Sequence, residues 1–235
     1  MSFLNAEWRK LAIANYVINP AVLPKYVPAG TELDIWENKS YVSLVGFMLL
    51  NTKLLGLRIP FHTNFEEVNL RFYVKRFENN SWKRGVVFIK EFVPKPALTF
   101  IANSIYNERY ETLPMRHTWK KDGENSVVEY LWKKNNQWQS FRIITESEPI
   151  EIPVVSETEF ITEHYWGYAK VNQELTNEYE VTHPKWKHYQ VKQSEIKVDF
   201  GIVYGPDFEF LNEIDPDTVI LAEGSEITVE KKKRT

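Results

Sequence analysis

One ten-residue stretch, Phe65-Glu66-Glu67-Val68-Asn69-Leu70-Arg71-Phe72-Tyr73-Val74, limits what this chain can fold into more than any other. Read with a period of two it is a β-strand, because successive side chains of a strand point to opposite faces. One face carries Glu66, Val68, Leu70, Phe72 and Val74 and is a core face. The other carries Phe65, Glu67, Asn69, Arg71 and Tyr73. Between its aromatic ends lies a row of carboxylate, carboxamide and guanidinium, each about 7 Å from the next. Spacing alone leaves two readings: the row faces water, or it lines a pocket for a small polar ligand. The second needs a fold that buries both faces of a strand while one stays polar, and a barrel interior is one of the few that does.

Composition favours strands. The chain holds 14 Phe, 12 Tyr and 8 Trp with many Val and Ile, where a helical bundle would lead with Ala and Leu. Lys and Arg number 29 against 32 Asp and Glu, so no global positive field draws nucleic acid or anionic lipid. Without cysteine the chain has no disulfide, thiolate metal site or cysteine nucleophile. The first residues lack a basic start followed by an apolar run, and no window approaches the roughly 18 apolar residues of a membrane span. These features predict a cytoplasmic protein with neither nucleic acid nor membrane as a partner. At 235 residues, with no repeat or low-complexity linker, residues 1–235 read as one domain.

Along the chain, Asn5 caps a predicted helix carrying Trp8, Leu11, Ala12 and Tyr16 on one stripe and ending at Asn19-Pro20. Residues 32–36 alternate as a strand, Glu37-Asn38-Lys39 turns, and residues 40–50 form an apolar run that should be central and buried. The 65–74 strand turns at residues 78–81 into a partner at 85–92. Pro94 and Pro96 start a helix reaching Asn103 or Ile105. Residues 106–116 make a loop dense in polar and aromatic groups, the kind that often lines sites. Three strands over 118–121, 127–132 and 138–144 form a meander, with Asp122-Gly123 as its clearest turn. Ser156-Glu157-Thr158-Glu159 is a capping box opening a short helix. Residues 175–183 are a strand that points His183 inward, residues 191–200 and 201–204 supply further β structure, and the basic end 230–235 frays.

Catalytic motifs are sparse. The five histidines form no His-x-x-x-His or Glu-x-x-His pair on a predicted helix, no Gly-x-Ser-x-Gly elbow is present, and no Gly-rich phosphate loop occurs. No metal and no cofactor is expected. Thr182-His183-Pro184-Lys185-Trp186 sets an imidazole at a strand end and an indole beyond a rigid corner, an arrangement that serves either a pocket mouth or core packing. Glu163, His164, Tyr165 and Tyr168 read as structural.

With these residues in view, the sequence resembles the YqjF-like family of uncharacterised conserved proteins in the acetoacetate-decarboxylase-like superfamily. The resemblance is carried by Leu33 to Phe47 with its Tyr41-Val42-Ser43-Leu44-Val45-x-Phe47 strand, by Phe65-x-Glu67-x-Asn69-x-Arg71-x-Tyr73-Val74, by Gly85-Val86-x-Phe88, by Arg109-Tyr110-x-x-Leu113-Pro114, by Ile161-Thr162-Glu163 leading to Tyr165 and Tyr168, and by His183-Pro184-x-Trp186. It implies a mostly β fold of the α+β type, a strongly curved antiparallel sheet closing into a barrel or cone with a few short helices. Inside would lie a polar pocket lined by Glu67, Asn69, Arg71, Tyr73, Arg109, His183 and Trp186, where superfamily enzymes hold a small carboxylic or keto acid. The implied partner is a small, anionic polar molecule. Two departures reduce the positive charge for such a ligand: His164 stands where related proteins carry Arg, and Asn103 where the family has an arginine. A third concerns chemistry. The superfamily's imine-forming lysine follows a proline, and the matching stretch here, Leu113-Pro114-Met115-Arg116-His117, holds none. Arg116 stays protonated and cannot form an imine. The expected function is a lyase-like pocket protein without the Schiff-base lysine, or else a non-catalytic sensor or scaffold using the same barrel.

Overall fold

The computed structural model of the chain describes residues 2–235. Its strands are β1 (Leu4–Ile18), β2 (Glu32–Leu33), β3 (Ser40–Leu54), β4 (Phe65–Glu78), β5 (Ser81–Val93), β6 (Tyr110–Thr112), β7 (Met115–Asp122), β8 (Asn125–Lys134), β9 (Gln137–Glu151), β10 (Trp166–Lys170), β11 (Thr176–Thr182), β12 (Lys187–Lys197), β13 (Thr218–Val229) and β14 (Lys233–Arg234). The helices are short: α1 (Pro96–Ile101), α2 (Glu157–Thr162) and α3 (Phe200–Tyr204). The protein is therefore mostly β, and all its strands belong to one sheet. None of the helices is long and apolar enough to cross a membrane.

The sheet runs β11-β10-β5-β4-β3-β1-β13, and β13 pairs back onto β11 through Val181–Val229 and Thr182–Thr228, so these strands form a ring. From β13 the sheet continues through β12, β9, β8 and β7 as a flap. The flap folds over the outside of the ring, and the two enclose one core with Val68, Leu70 and Phe72 from β4 against Tyr130, Trp132 and Phe141. A second core, with Ile13, Val45, Phe47, Tyr73, Ile161 and Trp186, fills the inside of the ring. β4 thus buries both faces. Most pairings are antiparallel, but β10 and β6 each run parallel to β5, which corrects the expectation of a purely antiparallel sheet.

The predicted N-terminal helix is strand β1 instead. Lys10 adopts φ 53°, and the pairing with β3 jumps from Arg9–Met48 to Ala12–Gly46. This bulge inserts a residue and reverses the alternation of faces, so Leu4, Ala6 and Trp8 and then Leu11 and Ile13 all point into the ring. A spacing of three between Trp8 and Leu11 mimics a helical stripe. Residues 201–204, expected as β, form α3, because Asp199 accepts from the Ile202 N–H and Gly205 at φ 103° followed by Pro206 ends the turn. The 32–36 strand shrinks to β2. The basic end does not fray wholly: Lys233 and Arg234 pair with Glu178 and Asn177, and Thr235 exchanges backbone hydrogen bonds with Thr176. The loop expected over residues 106–116 contains β6 and the start of β7, while the expected hairpin turns and capping box are present. Asn79-Asn80 and Asn135-Asn136 turn in the left-handed region, as two-residue hairpins require, and Ser156 accepts from the Glu159 N–H at 3.1 Å.

Candidate functional site

The inside of the ring holds a cavity of about 150 Å³. Its walls are mainly apolar, with Trp8, Phe47, Phe65 and Phe88 from the ring strands, and α1 with the turn after it covers one side through Leu98, Ile101 and Tyr106. The polar part of the wall is built on β4. Glu67, Asn69 and Arg71 all line the cavity and are buried to 5, 1 and 8% exposure, so the row does not face water. Val68, Leu70 and Phe72 on the opposite face lock the strand in this orientation, because a one-residue slip would expose them all.

Glu67 is held from two sides. Its Oε1 accepts from the Asn69 Nδ2 at 3.1 Å and its Oε2 from the Tyr110 hydroxyl at 3.2 Å. Burial nonetheless pushes its carboxyl up to about 7, against the hydrogen bonds of Asn69 and Tyr110 and the charge of Arg71. Two further carboxyls that the sequence did not point to share the cavity. Glu91 comes from β5, directly opposite Asn69, and is 1% exposed. Glu108 comes from the loop after α1 and accepts from the Tyr179 hydroxyl at 2.8 Å. Burial raises Glu91 well above the usual range, helped by the charges of Glu108 and Glu67, and raises Glu108 to about 7 against the Tyr179 hydrogen bond.

Arg71 is the one lysine or arginine among the lining residues. No carboxylate among the described residues forms an ion pair with it, its Nε has no hydrogen-bond partner, and its guanidinium lies 5.6 Å from the Tyr73 ring centre. His183 and Trp186 also reach the wall. Their rings stack 4.2 Å apart, the Trp186 indole N–H donates to Ser225 at 2.8 Å, and the His183 Nδ1–H donates to the Pro184 carbonyl at 2.9 Å. His164 lines the cavity too, and its Nε2–H donates to Asp34 at 3.2 Å while Arg84 donates to the same oxygen at 2.6 Å. Burial lowers His164 to about 4, so it is neutral at pH 7.

Two expected site residues lie elsewhere. Tyr73 does not line the cavity: its hydroxyl shares a 2.7 Å hydrogen bond with Ser43, which donates to Asn15 at 2.6 Å, in a buried polar chain within the ring wall. Arg109 is exposed, its guanidinium 5.5 Å from the Tyr26 ring centre, because in β6 and its approach it is Glu108 and Tyr110 that turn inward. The loop over residues 106–116 does furnish the site, though with Tyr106, Glu108 and Tyr110 in place of Arg109.

The chain resembles known proteins in both sequence and fold. The chain is 25% identical over 201 residues to the uncharacterized protein YqjF of Bacillus subtilis, covering 83% of this chain and 78% of that one. In fold it is similar to acetoacetate decarboxylase from Legionella pneumophila, with a TM-score of 0.66 at 10% identity over 99% of this chain and 86% of that one. The enduracididine biosynthesis enzyme MppR complexed with pyruvate is similar to the same degree, with a TM-score of 0.67 at 10% identity over 100% of this chain and 91% of that one. Residues 5–226 match the DUF2071 family, described as an uncharacterized conserved protein, and the chain belongs to that family.

Proposed function

We propose that the ring is a small barrel whose interior binds a small polar molecule, and that Glu67 exchanges a proton with it. The observation that carries this reading is a set of buried polar atoms without partners on residues lining the cavity: Asn69 Oδ1, Arg71 Nε and Glu91 Oε2. Buried polar atoms are almost always hydrogen-bonded, and leaving one unpaired costs about 1–3 kcal/mol. Such atoms ranged along one cavity wall suit the polar groups of a ligand. A carboxyl brought near 7 by burial is matched to general acid–base work at neutral pH. That favours catalysis over a purely sensing role, for which a fully paired Glu67 and Arg71 would serve better. The fold's likeness to MppR complexed with pyruvate makes a small metabolite the natural first candidate.

A thermal-shift screen of small metabolites tests the reading. A ligand at 100-fold its Kd adds about 2.7 kcal/mol to stability. The shift should vanish in a variant that removes both ends of the polar row, Glu67→Gln with Arg71→Ala. A hit that keeps its shift there binds elsewhere and contradicts the proposal.

Imine chemistry has no support in this cavity. Met115 packs against the outer core, and Lys90 turns outward, its Nζ 3.3 Å from Glu111, because a bulge between Leu70–Lys90 and Arg71–Phe88 takes it off the face of Val86 and Phe88. Incubation with acetoacetate and borohydride should therefore leave the intact mass unchanged. A stable adduct on Lys90, Lys120 or Lys121 would restore the lyase mechanism.

A further inference from the structure

The cavity's ionisable groups are the reverse of what a carboxylate-binding pocket needs. Three glutamates, Glu67, Glu91 and Glu108, line it against a single guanidinium. Both histidines of the wall have their affinity for protons reduced by burial and add no dependable positive charge. Arg71 offsets only part of the three carboxyls: they receive hydrogen bonds from Asn69, Tyr110 and Tyr179, and none forms an ion pair with a described residue. Glu91 carries the second observation. It is 1% exposed, lines the cavity, and its Oε2 has no partner. An unpaired carboxyl oxygen with two carboxyl neighbours is an acceptor in want of a cationic donor.

A metal ion is not that cation, because no three His, Asp or Glu of the described residues are placed to hold one. The rest of the wall selects instead for an organic group. Trp8, Phe47, Phe65 and Phe88 offer aromatic surface, which attracts cations by its negative faces and accommodates an apolar body. A cavity of about 150 Å³ suits a body of about the size of benzene.

Resting on the small-molecule reading above, we infer that the ligand of this cavity is an organic amine or amidine, bound as its cation among Glu67, Glu91 and Glu108 with its apolar part against the aromatic wall. Each N–H of the cation donates to a carboxylate oxygen, and Glu91 Oε2 gains the partner it lacks. Carboxyls that burial keeps protonated ionise when the cation arrives and release their protons to solvent, so binding tightens as pH rises through neutrality. The charged and titratable groups facing the trio are Tyr110 from β6, Tyr179 from β11, Arg71 from β4 and Arg109 beside Glu108; the two tyrosines stay protonated over this range, since burial raises both well above their ordinary value.

Three probes of one shape separate the possibilities by titration calorimetry at pH 8: benzylammonium, benzyl alcohol and benzoate. Benzylammonium should bind at least tenfold more tightly than the other two, release protons on binding, and lose at least tenfold in affinity in Glu91→Gln. Arg71→Ala, which removes the one guanidinium of the wall, should tighten its binding. If Glu91→Gln does not melt cooperatively, Glu108→Gln carries the same expectation. Benzoate binding tightest and failing in Arg71→Ala would overturn the cation while leaving the pocket intact. Failure of all three probes, where the metabolite screen yields hits, also overturns the cation alone; failure of both experiments removes the pocket reading with it.

Discussion

Gly224→Ala is expected to lower the stability of the protein by about 4 kcal/mol or more, the upper end of what a single substitution costs. Gly224 lies in β13 opposite Arg9, where β1 makes its bulge, and has φ 80°. A Cβ there would sit 2.0 Å from the Trp8 carbonyl oxygen and 2.7 Å from its carbon. Both are backbone atoms of the neighbouring strand, so relief requires prying β1 from β13, one of the seams of the ring. Gly56→Ala is the internal control. Gly56 has φ 82° with nothing within 4 Å of the added atom, so it incurs only the left-handed penalty of about 1 kcal/mol. Urea denaturation of the two variants separates the terms. Equal losses would mean that the close approach of Trp8 to Gly224 is not a feature of the folded protein.

Glu67→Gln is expected to act in the opposite direction, and only at high pH. An unfolded glutamate loses its proton near 4.5, whereas Glu67 in the folded chain holds it to about 7. Across that window the folded state binds more protons, so this group's contribution to stability falls as pH rises from 4.5 to 7 and stays low above it. Glutamine does not titrate. Between pH 4.5 and pH 8 the variant should therefore gain on the parent by on the order of 3 kcal/mol, roughly 5–10 °C in Tm for a chain of this size. His164 obeys the other sign, since its lowered value makes stability fall as pH drops from 6.5 toward 4, and the difference between parent and variant cancels it. A constant difference across the range would show that Glu67 is solvated.

Much of the frame was legible in the sequence because its patterns are local. The hairpin of β4 and β5 follows from alternation and the Asn79-Asn80 turn, and the meander from Asp122-Gly123 and Asn135-Asn136. The inward face of β4 was legible too, since its opposite face is plainly apolar. Two of the failures arose at bulges. The extra residue at Lys10 turned a strand into an apparent helix, and the irregularity at Ile89 and Lys90 exchanged Lys90 for Glu91 on the inner face. A period of two read without bulges assigns the wrong parity to every residue beyond them. Glu91 and Glu108 were illegible for a further reason: their significance lies in sharing a cavity with Glu67, a relation fixed by register across three segments of chain. Tyr73 and Arg109 were misplaced on the same grounds. Tyr73 has the right parity, but Ser43 takes its hydroxyl into the wall, and Arg109 alternates with two residues that have stronger reasons to be inside.

The claim on which everything else rests is that the row on β4 faces a water-poor interior that it shares with two other carboxyls. It is tested most directly by a carbon NMR titration of the glutamate carboxyls between pH 3 and pH 10, with Glu67→Gln, Glu91→Gln and Glu108→Gln used to assign the signals. The expected result is that Glu67 and Glu108 titrate near 7 and Glu91 well above the ordinary carboxylate range, each midpoint moving when a neighbour is replaced. Glutamate signals that all titrate in the ordinary range near 4.5, and do not respond to one another, would place the row in water and contradict the account.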